Sequence, residues 1–547
     1  MTSDLTSSAA SPPSEKPAPN GRGSKHAARM ISESLSCLAA GIRALWAFEP
    51  RRVFFEGLIV CFALILIGAL AASWFAAQGY TLYYGDAQAH LNISRSIIDS
   101  ATPGYEQLGS VWLPLLHVLC LPFVGSNLLW STGLAGAIPV GVCFVIAGTC
   151  FYLAARSLYQ DWRAAGVVVG CFALNPNILY LASIPMTEVV FFAGLALFLL
   201  CYVRFRISNH LGWVACGVFA SWMMSLTRYD GWFLIPFCAL WLAAAARRHR
   251  VLFFVGVGAL ASLAPLYWMA HNWYETGNAL DFFNGPYSAK AIQGGRPYPG
   301  FHDWPVALLY YCKAGQLCSG WPLCILGILG AVCAVCTRTA VASLFLCLTP
   351  AFYVWSIHSS QNPIFVPQFY PHGHYNTRYG LAVVVFLAFA CGAIVLVIPK
   401  YWRRFGIVLP AVAIVSWLFP LRPSAWICWK ESEINSVARR AWTNSAAAFT
   451  TSHYFPGEGI LTDFGDVTGV YCKARLPLRE TISIGNGTEW LVASMRPDLF
   501  RPQAWAVAQH GGALSQVLSQ GSKTGYQLTY EIKTPGAPNL EIYRRLP

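Results

Sequence analysis

A carboxylate four residues ahead of an imidazole, Asp86 and His90 in Tyr84-Gly85-Asp86-Ala87-Gln88-Ala89-His90-Leu91, is the first place in this chain where residue type and spacing could do chemistry. The stretch reads as the start of a short helix, with Asp86 near its N-terminus and His90 one turn later on the same face. A carboxylate there can take a proton, or it can do no more than cap the helix, a contribution of roughly 1 kcal/mol. A second acid, Glu188, opens an apolar run at Pro185-Met186-Thr187-Glu188, where Thr187 can cap and the helix dipole favours the negative charge. Thr227-Arg228-Tyr229-Asp230-Gly231 joins two more apolar runs, and Arg228 and Asp230 can serve a ligand or simply neutralise one another. The stretch Gln361 to Arg378 is stiffened by Pro363, Pro367 and Pro371. His372 and His374 within it share a face if the chain is extended, and Arg378 and Tyr379 start the next apolar run. An arginine at that depth needs an anion, and its fork of donors suits a carboxylate or a lipid phosphate. Asp86, Glu188, His372 and His374 are the candidate ligands for a divalent metal ion, although two imidazoles alone do not define a site.

The elements that must hold these residues are membrane spans. Of 547 residues, 56% are hydrophobic, 14% aromatic and only 11% charged, with a mean hydropathy of +0.48. That balance is too apolar and too charge-poor for an ordinary soluble protein. The formal net charge of +13 does not point to nucleic acid, because the basic residues sit in short clusters between apolar runs rather than on one face. Most of the 18 cysteines lie inside apolar runs, where a thiol behaves as a small hydrophobe. The C-x-x-C of Cys333 and Cys336 lacks the polar surroundings a metal or redox site requires, and Cys312 and Cys318 are a candidate disulfide.

Apolar runs extend from Val53 to Ala77, Leu128 to Ala155, Ala164 to Ile184, Val189 to Val203, Leu211 to Leu226, Trp232 to Ala246, Val251 to Trp268, Leu317 to Cys336, Ala340 to Ile357, Tyr379 to Ile398 and Phe405 to Leu418. They predict about eleven transmembrane helices, several shorter than the usual ~20 residues. The arginine clusters at 51–52, 156–163, 204–206, 247–250, 338 and 403–404 fall in alternate connections, which the positive-inside rule assigns to the cytoplasm. Trp112 to Val124, about 13 residues, is predicted to re-enter or lie at the interface, since counting it as a span would turn Arg156 and Arg163 outward. Asp86, Glu188, Arg228, Asp230 and Arg378 then share the extracytoplasmic side.

Residues 1–50 are expected to be a disordered cytoplasmic tail followed by a mildly amphipathic interfacial helix from Met30 to Phe48. Residues 51–420 form the multi-span domain. Residues 421–547 turn polar and are expected to be a small soluble extracytoplasmic α/β domain. Its predicted helix runs from Ile434 to Phe449, with short strands at Gly459 to Phe464, Thr481 to Gly485, Trp505 to Ala508, Tyr526 to Ile532 and Leu540 to Tyr543. No internal repeat is evident, which weighs against transporter folds built on repeated halves.

Several short motifs occur in a fixed order. They are Gly-Asp-x-x-x-His-Leu at Gly85, Pro114-Leu115-Leu116-His117, Met186-Thr187-Glu188, Thr227-Arg228-x-x-Gly231 and Asn376-Thr377-Arg378-Tyr379-Gly380. In that order and on one side they resemble the GT-C superfamily of membrane glycosyltransferases, nearest the protein mannosyltransferase and lipid A aminoarabinose transferase group, over about residues 50 to 420. The resemblance implies a plasma (inner) membrane enzyme that moves a hexosyl or pentosyl group, usually with inversion, from a polyprenyl-phosphate donor to an extracytoplasmic lipid, glycan or protein acceptor. It implies Asp86 as general base, Glu188 as a second acid, and Arg378 with Arg228 facing the departing phosphate. His90, Asp230, His374 and Tyr379 complete the implied substrate site. Some relatives carry two adjacent acids in the first loop where this chain has Gly85-Asp86, so a metal requirement stays open. A transporter or flippase for a lipid-linked saccharide is the alternative, and it calls for ionisable residues near the bilayer midplane rather than at one face.

Overall fold

The computed structural model describes residues 51–418, 422–463, 465–500 and 503–547, so the tail and interfacial helix expected within residues 1–50 lie outside the described residues. Residues Phe55–Pro547 form one compact unit. The other, Met1–Phe54, contributes to the described chain only the first turn of the helix Arg51–Ala77.

Every apolar run becomes helical, because a segment with neither charges nor water partners satisfies its backbone only within itself. Seven helices are long and apolar enough to cross a bilayer: Arg51–Ala77, Leu134–Tyr159, Thr187–Ser208, Arg250–Thr276, Trp304–Cys336, Val341–Ser359 and Thr377–Val397. Trp162–Ala173 and Pro176–Ala182 make an eighth if taken together across a 67° bend. The bend is written locally. Asn175 caps the second helix by accepting from the amides of Asn177 and Ile178, and Pro176 supplies a first-turn residue with no N–H to satisfy. The expected count of eleven rests on shorter helices, Leu211–Ser225, Asp230–Ala245 and Leu409–Leu418, and length and composition alone do not establish it. The ambiguous segment forms the ten-residue helix Leu115–Val124.

Trp304–Cys336 is bent at Gly320, whose φ of +73° suits a residue without a side chain. A Cβ there would lie 2.5 Å from Ser416 Oγ. Cys312 and Cys318 both lie on this helix as free thiols, one exposed and one buried, which corrects the expected disulfide. Residues six apart on a helix project from different faces.

After residue 422 the helix Ile427–His453 leads into a five-stranded sheet. The strands are β1 (Ile460–Thr462), β2 (Thr481–Ile482), β3 (Trp505–Gln509), β4 (Tyr526–Ile532) and β5 (Leu540–Arg545), in spatial order β2-β1-β3-β5-β4. β1 is parallel to β2 and β3, and β5 runs antiparallel to β3 and β4. Leu461, Ile482, Ala506 and Tyr543 fill a core of their own beneath Leu514 and Leu518. Yet this part does not stand apart from the bundle. Cys428 N donates to Asn177 Oδ1 at 3.0 Å, and the Asn175 and Asn177 side-chain amides donate to Cys318 O at 3.0 and 3.2 Å. One knot thus joins the bent pair, the kinked helix and the C-terminal segment.

Candidate active site

Five chain segments deliver the charged residues to one place, the fifth being the helix Ile427–His453 with Glu431. The chain enters the helix Gly85–Ile98 from extended Tyr84, which puts Asp86 in the first turn. Glu188 is the second residue of Thr187–Ser208, where unpaired amides and the helix dipole favour a carboxylate. Arg228 lies in the turn between Leu211–Ser225 and Asp230–Ala245, and Arg378 in the 3₁₀ turn Thr377–Gly380 that opens the next apolar helix.

Arg378 is the hub. Its Nη2 donates to Asp86 Oδ2 at 2.6 Å, Nε to Glu188 Oε1 at 3.1 Å and Nη1 to Glu431 Oε1 at 2.9 Å. Arg228 shares Glu188 Oε1 at 3.1 Å and also donates to Thr187 Oγ1 at 2.8 Å. Its Nη2 donates to Tyr353 Oη at 3.0 Å, and Tyr353 donates in turn to Asp230 Oδ2 at 2.8 Å. Tyr379 and Tyr353 stack at 4.9 Å, and both guanidinium groups lie within 5.3 Å of the Tyr379 ring centre. With all four carboxylates ionised, Asp86, Glu188, Asp230 and Glu431 exceed the two arginines by two negative charges. Such a buried network holds together only because nearly every donor has an acceptor.

Exposure separates the acids by role. Glu188, Asp230 and Glu431 are 3%, 2% and 1% exposed, whereas the Asp86 side chain is 42% exposed. Asp86 alone of the four can meet a solvent-borne group without the cluster opening. Asp86, His90, Glu188, Arg228, Asp230, Arg378 and Tyr379 all line one cavity of about 580 Å³, walled on its apolar side by Trp232, Phe233, Phe282, Phe352 and Trp355. Lys290 lines it too, with its ammonium 5.6 Å from the Phe283 ring centre and no ion pair among the described residues.

His90 Nδ1 lies 2.9 Å from His117 Nε2, and both rings are buried. Burial first, then the charges of Arg378 and Arg228, push the His90 imidazolium down to about 3, so the ring is neutral at physiological pH. Of the sequence candidates, His372 and His374 do not join. His372 is exposed with Nδ1 3.1 Å from Pro367 O, and His374 meets the C-terminal helix through its carbonyl, which accepts from Asn435 at 2.7 Å. Among the described residues no group of three or more His, Cys, Asp or Glu side chains is arranged to hold a metal ion. Asp86 and Glu188 are separated by the Arg378 guanidinium that both of them bind, a poor setting for a second cation.

Four site residues were not singled out in the sequence: Lys290, Glu431, Arg439 and Tyr353. Glu431 lies in Trp429-Lys430-Glu431-Ser432-Glu433, where the neighbouring charges make it look like a solvated face. It accepts from the Thr377 amide at 2.7 Å and from the Thr377 hydroxyl, locking the turn that carries Arg378. Two turns on, Arg439 donates to Tyr83 O at 2.6 Å and Gln88 Oε1 at 2.7 Å, gripping the segment around Asp86. It also lies 3.7 Å from Asp466, whose carboxyl is pushed upward by burial against the opposing pull of Arg439. Tyr353 sits in an apolar run and reads as core. His117, the lone imidazole of an apolar ten-residue helix, did carry a signal.

The fold and site define a multi-helix membrane protein whose charged cavity is completed by a C-terminal α/β segment. The fold is similar to that of a solved structure, ArnT from Cupriavidus metallidurans in the apo state. The two superpose with a TM-score of 0.53 at 13% identity, over 87% of this chain and 97% of that one, so what is shared is the fold. No family model matches the sequence, and no curated protein matches it.

Proposed function

We propose that this chain is an integral membrane glycosyltransferase that moves a monosaccharide from a polyprenyl-phosphate donor to an acceptor hydroxyl or amine, with inversion. The carrying observation is the one accessible carboxylate of the four in the cluster, Asp86, paired at 2.6 Å with an arginine that two buried acids fix, on the wall of an aromatic cavity. Asp86 takes the proton as the acceptor atom bonds to the anomeric carbon. The bond from that carbon to the phosphate oxygen breaks, and its electron pair leaves on the phosphate. Glu188 holds Arg228 and Arg378 in register. The aromatic wall suits an isoprenoid chain, and the negative charge growing on the phosphate is met by Lys290 and by donors of the two arginines that their carboxylates leave over. Among the described residues there is no ready metal site, so no step is assigned to one.

The test is transfer from a panel of radiolabelled polyprenyl-phosphate sugars by wild type and Asp86→Asn in nanodiscs. Loss of a general base lowers kcat by about 10²- to 10⁴-fold. Transfer by the variant at the wild-type rate would overturn the base assignment. Saturable binding without turnover by both proteins would overturn the enzyme reading.

A further inference from the structure

We infer that His117 is a positioning residue that fixes the tautomer of His90, so that His90 presents an Nε2–H donor to an unprotonated oxygen of the cavity's occupant. The inference rests on the proposed transferase reading only for what that oxygen is, a phosphoryl oxygen of the lipid-linked donor. The tautomer itself follows from the geometry.

Two neutral imidazoles joined at 2.9 Å through His90 Nδ1 and His117 Nε2 share one proton along that line. In one arrangement His90 Nδ1 carries it. His117 must then hold its own proton on Nδ1, an atom with no accessible surface and no hydrogen-bond partner among the described residues. In the other, His117 Nε2 carries the shared proton, its Nδ1 is a bare lone pair, and the remaining proton of His90 sits on Nε2. A buried N–H without an acceptor is rarer and costlier than an acceptor short of a donor, which favours the second arrangement. His90 Nε2 takes no partner among the described residues, and the ring lines the cavity against Trp112 at 4.5 Å.

The surroundings keep the pair neutral. Arg378 and Arg228 are the charged groups acting on His90, both positive. His117 sits in an apolar helix with zero exposure. A neutral imidazole can donate without carrying charge, so His90 adds a hydrogen bond to an anionic oxygen and leaves proton removal to Asp86, one turn away on the same helix. This division of labour explains why a buried histidine, useless as a base beside two arginines, occupies the cavity wall.

The experiment is ¹⁵N NMR of the full chain, labelled at histidine, in nanodiscs, with His90→Gln to assign its signals. The expected result is His90 with a protonated Nε2 and a bare Nδ1, unchanged between about pH 5 and 8. A protonated Nδ1 on His90 would overturn the proposal, whatever the enzyme does. For the positioning role, His117→Gln retains an amide near the Nε2 position, whereas His117→Leu offers no donor. His117→Gln should keep the Nε2–H form and hold kcat/KM within a few-fold. His117→Leu should mix the tautomers and lower kcat/KM only in proportion to the Nε2–H fraction lost, about several-fold, so the spectrum rather than the rate separates the two variants. An unmixed tautomer in His117→Leu would overturn the role, and if that variant does not fold, the wild-type spectrum alone decides. Absence of sugar transfer with every donor would defeat the transferase reading and leave the tautomer result standing.

Discussion

Replacing Glu431 by glutamine tests whether the C-terminal helix holds the charged cluster in place. The carboxylate makes one charge-assisted bond to Arg378 Nη1 at 2.9 Å and two bonds to Thr377, at its amide and its hydroxyl, from a position 1% exposed. A glutamine amide has one oxygen for these donors. Turned to Thr377, it sets its NH₂ against the guanidinium; turned to Arg378, it leaves the Thr377 amide facing another donor. Losing a charged hydrogen bond costs about 1.5 to 3 kcal/mol, and an orphaned buried donor adds about 1 to 3 kcal/mol. Against this, the cluster sheds one of its two excess negative charges, which relieves repulsion in a low-dielectric setting. A net loss of about 2 to 3 kcal/mol is expected, below the roughly 3 to 5 kcal/mol of breaking an isolated buried pair.

The matching perturbation at Asp86 should behave in the opposite way. Its pair with Arg378 is open to solvent on the acid's side, so Asp86→Asn should change stability by no more than about 1 kcal/mol while nearly abolishing transfer. Both variants are compared by thermal inactivation in detergent, followed by tryptophan fluorescence, and by kcat/KM. If Glu431→Gln unfolds with wild-type kinetics and turns over normally, the C-terminal helix does not support the site and the reasoning fails.

Three further outcomes follow from the same geometry. Tyr353→Phe removes the hydroxyl that bridges Arg228 and Asp230, and should destabilise the protein by about 1.5 to 3 kcal/mol, read as a lower midpoint in the same thermal assay. His90 is held below its unfolded value, so the unfolded chain binds the extra proton: its contribution to stability should be level above about pH 6.5 and fall with pH from there toward about 3, and because buried His117 is held low in the same sense, His90→Gln should reduce the slope without abolishing it in a pH series of unfolding rates. Lys290→Ala should raise KM for the lipid-linked donor several-fold with an unchanged unfolding midpoint, since the residue lines the cavity and takes part in no ion pair among the described residues; an unchanged KM removes Lys290 from the phosphate site.

By itself the sequence determined which segments are helices, because apolar runs without charges leave the backbone no other way to satisfy its polar groups. It also determined the five strands of the C-terminal segment, where β-branched and aromatic residues alternate with turns; the predicted Tyr526 to Ile532 coincides with β4. Local chemistry was legible too. Asp86, Glu188, Arg228, Asp230 and Arg378 stood out because each is a charge at the end of an apolar run, where desolvation is expensive. Glu431 was not legible, because beside Lys430 and Glu433 an acid on a polar helix looks solvated until the fold presses that helix onto Thr377 and Arg378. Nor could the sequence separate Asp86 from the other acids, since the difference between 42% and 1–3% exposure arises from neighbours tens to hundreds of residues away. His372 and His374 lie outside the lining of the cavity for the converse reason. Their spacing suggested a shared face, but the turn bends away and His372 adopts a φ of +60°. Residue type and local period are properties of a segment, whereas which charges end up within hydrogen-bonding reach of one another, and which keep their water, depends on long-range packing that only the tertiary structure decides.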